Sequence, residues 1–138
     1  MRILVSTQPR FPDSSIWDRL VASDPRGHLL QIFAWGELKG SFGWEPVRVA
    51  VEQDGVLVAG AQVLYRRLGP LSIGYIPKGP VLLREEPQVA QALWQAVHEQ
   101  SQKRRALFLK IEPERRDDDE RYLAQVRDWG FAPSQETI

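Results

Sequence analysis

Apolar residues recur along this chain with two alternating periods, and the points where one period yields to the other divide it into elements. Ile3 to Ser6 is a short apolar run and reads as an opening strand. Ile16, Trp17, Leu20 and Val21 follow at helical spacing, and Ser15 with Asp18 three residues later fits a capping box. Leu29 to Lys39 predicts a second helix, with Trp35, Leu38 and Phe42 on one stripe and Gly40 and Gly43 at its end. The period then falls to two. Val47, Val49 and Val51 alternate with Arg48, Ala50 and Glu52, and Asp54-Gly55 is a hairpin signal. Val56 to Arg67 is the return strand, with Gly60 as a candidate bulge. Gly69-Pro70 turns the chain into a third strand, Leu71 to Ile76.

Helical spacing returns at Pro87, which suits a first turn, and runs to Lys103 with Val89, Leu93 and Val97 on one face. Glu85 and Glu86 stand at its start and Lys103, Arg104 and Arg105 at its end, both favourable to the helix dipole. Ala106 to Ile111 reads as a strand. Asp117-Asp118-Asp119 open a last helix carrying Tyr122, Leu123, Val126 and Trp129, with Gly130 as its stop. The order β-α-α-β-β-β-α-β-α predicts an α/β (α+β) domain: a mixed, mainly antiparallel sheet flanked by helices. That is the order of the first part of an N-acetyltransferase-like (GNAT) fold. Such a fold continues into further strands after this point, and only Phe131 to Ile138 remain, so the chain is expected to stop early.

Composition narrows the chemistry. The 138 residues suit one domain, and no repeat or long linker divides them. Lys+Arg and Asp+Glu both number 18, so nothing in the net charge calls for a nucleic-acid partner. The absence of Cys excludes disulfides, thiolate metal sites and thiol nucleophiles, and two His, at 28 and 98, are too few for a histidine-rich metal site. Both histidines read as solvated or capping residues. No apolar run is long enough for a signal-peptide core or a membrane span, so a cytoplasmic protein is expected.

Three stretches resemble the FemABX family of peptidoglycan aminoacyltransferases. Residues 28–50, HLLQIFAWGELKGSFGWEPVRVA, are similar to the family's Q-x-x-x-W-G-x-x-K-x-x-x-G-W pattern. Residues 75–82, YIPKGPVL, resemble its Y-x-P-[RK]-G-P segment, and Ile111-Glu112-Pro113 with Gly130-Phe131 to Ser134 match its ending in order. Members have two GNAT-like halves, and this sequence resembles the first. The resemblance implies transfer of an amino acid from aminoacyl-tRNA to the peptide of a UDP-linked muropeptide. Within it this half would bind the acceptor, and the donor tRNA would lie on a second, missing half. It implies no cofactor and no metal. The chain alone is expected to be inactive and able to self-associate through an exposed edge of the 106–111 strand.

The resemblance carries Lys39 over as a contact to the acceptor's diphosphate, for which a compact cation with three donors is suited. The plain alternative is a solvated lysine complementing a helix C-terminus. Tyr75 and Lys78 are candidate contacts to the acceptor's sugar or peptide, held by a loop that two prolines stiffen, although an ordinary strand-to-helix turn reads equally well. Trp44 is a candidate aromatic wall, Trp35 reads as core, and Gln31 as a polar orienter or a helix-face amide. The sequence names no catalytic residue. Val81-Leu82-Leu83 stand where some members carry an acid, and Glu112 is the nearest substitute. A small-molecule N-acetyltransferase is disfavoured: a pyrophosphate needs successive free N–H groups, and this loop has Pro77 and Pro80, lacks an [RQ]-x-x-G-x-[GA] signature, and is followed by Glu85 and Glu86. A non-catalytic interaction module on the same scaffold is the remaining alternative.

Overall fold

The central hairpin sets the architecture. In a computed structural model describing residues 1–24, 28–84, 86–112 and 126–131, β2 (Glu45–Gln53) and β3 (Val56–Leu68) pair antiparallel from Glu45 opposite Tyr65 to Gln53 opposite Val56. Asp54 and Gly55 both take positive φ, 52° and 79°, which a two-residue turn matching the strand twist requires. β1 (Arg2–Val5) adds antiparallel to β2, and β4 (Leu71–Pro77) antiparallel to β3. A two-residue strand, β5 (Val81–Leu82), returns to β3 opposite Ala59 and Gly60. The chain then crosses through α3 (Pro87–Lys103) and lays β6 (Ala106–Glu112) parallel to β4. The order β1-β2-β3-β4-β6 makes β6 an edge of the described sheet, with Leu107 and Phe108 exposed on it.

The two faces of the sheet are covered differently. Val47, Val49 and Val51 of β2 and Ala59, Ala61 and Val63 of β3 point to α3, which answers with Val89, Leu93, Ala96 and Val97. Each large aliphatic side chain buried there contributes about 1.5–3 kcal/mol. The segment at 126–131 joins this side through Trp94, whose ring lies 5.3 Å from that of Trp129 and 4.9 Å from that of Phe131. Gly130 (φ 91°) ends the helical turn at 126–128, with the Phe131 N–H reaching back to the Val126 carbonyl. The expected opening of that helix at Asp117 to Asp119, with Tyr122 and Leu123, lies outside the described residues, as does Glu85.

The opposite face carries α1 (Ser14–Ser23), a 3-10 turn at Leu29–Gln31 and α2 (Phe33–Gly40). Trp17, Leu20 and Val21 of α1 pack on Leu4, Ala50 and Val81. Gly60 admits this helix: a Cβ there would lie 2.9 Å from the Trp17 ring. It marks close approach and not the expected bulge, since the register shift falls between Val51 and Glu52.

The capping expectation is also corrected. Asp13, not Ser15, caps α1, its carboxylate accepting from the Ser15 and Ile16 N–H groups; the Ser15 hydroxyl, donating to the same oxygen, first and these N–H groups second hold its pKa below the usual range. Asp18 instead reaches across to the Phe33 N–H at 2.7 Å and caps α2. The second helix therefore starts four residues later than its period suggested, because Ile32 is extended and breaks it. Leu38 and Phe42 of its expected stripe are exposed and Trp35 is only half-buried; the residue that packs inward is Gly36.

Candidate functional site

Lys39 stands in the last turn of α2, its Nζ 5.4 Å from the centroid of the Trp35 ring. Its carbonyl accepts from the N–H groups of Phe42 and Trp44, which folds Trp44 back over the helix end. The Arg66 guanidinium lies 5.5 Å from the Trp44 ring, so two cations and two indoles share this corner. Beside it a cleft of about 320 Å³ is lined by Trp44, Glu45, Tyr65, Arg67 and Arg104. Arg104 grips both carboxylate oxygens of Glu45, at 2.8 and 3.1 Å, and this hydrogen bonding holds the Glu45 pKa below the usual carboxylate range. Tyr65 is buried with its hydroxyl 2.8 Å from that of Ser101, and burial pushes its pKa up.

Tyr75 and Lys78 form a second corner at the far end of β4. The Tyr75 hydroxyl donates to Glu112 Oε2 at 2.6 Å, and burial first, then that bond, pushes the phenol pKa up, so it stays protonated and a donor. Lys78 takes a left-handed conformation (φ 53°), gives its N–H to the Glu112 carbonyl and sets Nζ 4.0 Å from Glu112 Oε1. Glu112 is thus the hub of this corner and occupies the end of β6 opposite Pro77.

Between the corners runs a buried polar network. Arg48, 4% exposed, donates from Nε to Gln62 Oε1 (2.8 Å), from Nη2 to the Phe33 carbonyl (3.0 Å) and from Nη1 to Glu37 (3.2 Å), with its guanidinium 3.6 Å above the Phe33 ring. Burial pulls the Arg48 pKa down and Glu37 opposes this. Gln62 Nε2 donates to the carbonyls of Leu30 and Ile32. Gln31 is fully buried, and its carboxamide joins β3 to the Lys78 loop: Oε1 accepts the Gln62 N–H at 2.9 Å, and Nε2 donates to the Pro77 carbonyl at 2.6 Å and to that of Gln62 at 3.3 Å. Its own carbonyl takes the Trp17 indole N–H at 2.8 Å. A Cβ on Gly36 would fall 2.5 Å from Gln62 Oε1, which is why the helix can lie on this network only at a glycine.

The structure pairs Lys39 with Trp44 at one end of α2 and Tyr75 with Lys78 through Glu112 at the other side of the network. His28 is a cap, its Nδ1 accepting from the Leu30 N–H. Sequence reasoning missed Arg48, Gln62 and Arg66. The available signal for the first two was the neighbours: Ala50 and Gly60 are small on the same alternating face, which marks that face as covered and not solvated. Among the described residues no group of three or more His, Asp or Glu could hold a metal, and no helix is long and apolar enough to cross a membrane.

This arrangement of sheet and helices is the GNAT-like fold. It superposes on aminoglycoside N-acetyltransferase AAC(6')-Iy in complex with CoA (TM-score 0.64, 13% identity, 99% of this chain and 96% of that one). It likewise superposes on a ribosomal-protein-alanine N-acetyltransferase from Brucella melitensis biovar Abortus 2308 (TM-score 0.62, 18% identity, 100% and 96%). Those likenesses establish the fold alone. The match to the crystal structure of FemX goes further, with a TM-score of 0.81 and 28% identity over 94% of this chain and 32% of that one. A family model described as the FemAB family covers residues 14–122, and the chain belongs to that family. It is 33% identical over 99 residues to lipid II:glycine glycyltransferase of Staphylococcus aureus (strain MRSA252), 70% of this chain and 24% of that protein. The chain therefore spans about a quarter of the length of the curated relatives it matches.

Proposed function

We propose that this chain is the acceptor-binding half of a tRNA-dependent aminoacyltransferase that extends the peptide of a diphosphate-linked muropeptide. The observation that carries the reading is the position of Lys39. The motif lysine of the family pattern stands in the last turn of α2, beside Trp35, Trp44 and Arg66, where cations can meet a diphosphate and indoles a base or sugar. Tyr75 and Lys78 would contact sugar or peptide from the loop after β4. The reaction is attack of the acceptor amine on the aminoacyl ester: a C–N bond forms, the ester C–O bond breaks, and the tRNA hydroxyl leaves with the proton. It needs positioning and oxyanion stabilisation more than a protein nucleophile. The donor tRNA and the remaining catalytic groups would belong to a second half, so the 138-residue chain by itself would bind without transferring.

The N-acetyltransferase alternative is weakened by the loop. Pro77 and Pro80 have no N–H, and the Lys78 N–H is committed to the Glu112 carbonyl, so residues 77, 78 and 80 offer a pyrophosphate no donor. Calorimetric titration tests the proposal with three ligands: a soluble UDP-linked muropeptide, lipid II in detergent, and acetyl-CoA. Binding of either muropeptide is expected, and Lys39→Ala should weaken it by about 1–3 kcal/mol, as for a hydrogen bond to a charged group, with folding unchanged. The first two arms separate a nucleotide-linked from a lipid-linked acceptor. Equal affinity in parent and Lys39→Ala, or saturable micromolar binding of acetyl-CoA alone, would overturn the reading.

A further inference from the structure

Leu64 pairs with Tyr75 and Tyr65 with Gly74, so the same register carried two residues further would set Gln62 opposite Pro77. There the strands part, and β3 finds its next partner only at Ala59 and Gly60, in β5. The Gln31 carboxamide occupies the opening. It offers the Gln62 N–H an acceptor and the Pro77 and Gln62 carbonyls donors, which is the service a peptide group of a neighbouring strand would perform. A carboxamide suits this place because it carries one acceptor oxygen and two N–H donors, and all are engaged.

Gln31 also fills the floor of the loop. A Cβ on Gly79 would lie 2.7 Å from Gln31 Cδ, so the backbone of the Lys78 loop rests directly on the amide. Past the loop, the Leu83 N–H returns to the Val58 carbonyl. On its other side the network passes from Gln62 to the carbonyls of Leu30 and Ile32, and through Arg48 to Phe33 and Glu37 of α2.

We propose that Gln31 is a positioning residue: its side chain stands in for a missing strand segment and fixes the Pro77–Pro80 loop to the α2 end of the network. Lys78 and Lys39 are thereby held in one frame. The part of this inference that concerns ligand rests on the acceptor-binding reading above; the part that concerns the loop does not.

The experiment uses the full chain and has two readouts. Gln31→Leu keeps the bulk and removes the hydrogen bonds, and Gly79→Ala drives a methyl into the amide while leaving it intact. In either variant, amide hydrogen exchange at residues 78–83 should accelerate at least tenfold, while exchange at Val47 to Val51 in the sheet centre stays as in the parent. A loss of general stability would move both segments together. In the second readout, UDP-linked muropeptide is titrated against the parent, Lys78→Ala, Gln31→Leu and the double variant. Lys78→Ala should cost at least fivefold in affinity in the parent and less than twofold once Gln31 is replaced. Unchanged exchange at 78–83 in folded variants overturns the proposal, and if Gln31→Leu does not fold, Gly79→Ala decides alone. Additive losses of affinity overturn the ligand part. A parent that binds no muropeptide overturns the acceptor reading, and the exchange readout still decides the positioning role.

Discussion

The two faces of this sheet solve the same problem, covering a β-hairpin, with opposite chemistry. Against α3 the contact is mainly apolar: valines and alanines of β2 and β3 meet Val89, Leu93, Ala96 and Val97, with one buried hydroxyl pair, Tyr65 and Ser101, near its end. Such a contact is non-directional and tolerates small displacements. Against α2 the same two strands present Arg48 and Gln62, which are buried and bind carbonyls and carboxamides at fixed angles. A buried polar network contributes less net stability than apolar packing of the same area, because its desolvation must first be recovered. What it provides is geometry. The face that specifies geometry is the one that carries Lys39, and through Gln31 it also sets the loop of Lys78.

The sharpest way to break this comparison is to damage the faces separately. Leu93 is fully buried in the α3 contact, and Leu93→Ala should destabilise the fold by about 2–5 kcal/mol, the range for a buried leucine that leaves a cavity. Urea denaturation measures this. The fraction that remains folded should bind muropeptide as the parent does, because Leu93 itself packs among aliphatic side chains and lines neither candidate corner. A comparable loss of affinity per folded molecule would show that the α3 face also sets the site.

Arg48→Met is the counterpart on the polar face. It strands Gln62 Oε1 and removes the side-chain bond to the Phe33 carbonyl, and an acceptor left unmet in the interior costs about 1–3 kcal/mol. Some of that is offset because Glu37, the ionic partner, has a side chain 59% exposed and is solvated when released. The expected total is about 2 kcal/mol, smaller than for Leu93→Ala. Here, in contrast, affinity should fall in the folded protein, since α2 loses its anchor. Stability loss without affinity loss would reduce the network to packing.

The apolar face was readable in the sequence and the polar face was not, for one physical reason. Period-two alternation separates Val47, Val49 and Val51 from Arg48, Ala50 and Glu52, and it carries no sign that Arg48 and Ala50 of the second set are buried as well. α2 was read through the same lens. Its stripe of Trp35, Leu38 and Phe42 looked like core, yet the inward residue is Gly36, which has no side chain to signal anything. The family motifs fared better. Q-x-x-x-W-G joins the buried Gln31 carboxamide, Trp35 beside Lys39 and the close-approach Gly36, three features with no common periodicity. Element boundaries followed chemistry more than pattern: Pro87 did open α3, while Asp18, expected within its own helix, caps the next one.

The smallest predicted effect lies at the rim, where β2 begins, and tests whether ion pairs there matter beside the buried network. The Arg104 hydrogen bonds hold the Glu45 pKa below the ordinary range in the folded protein, and burial opposes them only in part. A carboxyl whose folded pKa is depressed contributes stability above its unfolded pKa and loses it as pH falls through the folded value. Stability should therefore decline on acidification through and below the ordinary carboxylate range. The Glu45 side chain is 58% exposed, so solvent screens the pair and the contribution is about 0.5 kcal/mol. Asp13, also depressed, acts in the same direction, so the parent's pH profile alone cannot isolate Glu45. The difference between parent and Glu45→Gln can, because Asp13 is common to both and cancels. That difference should be present near neutral pH and shrink once Glu45 is protonated. Measured by urea denaturation across the acid range, a difference that stays constant with pH would assign the effect to the neutral contacts of residue 45 and remove the ion pair from the account.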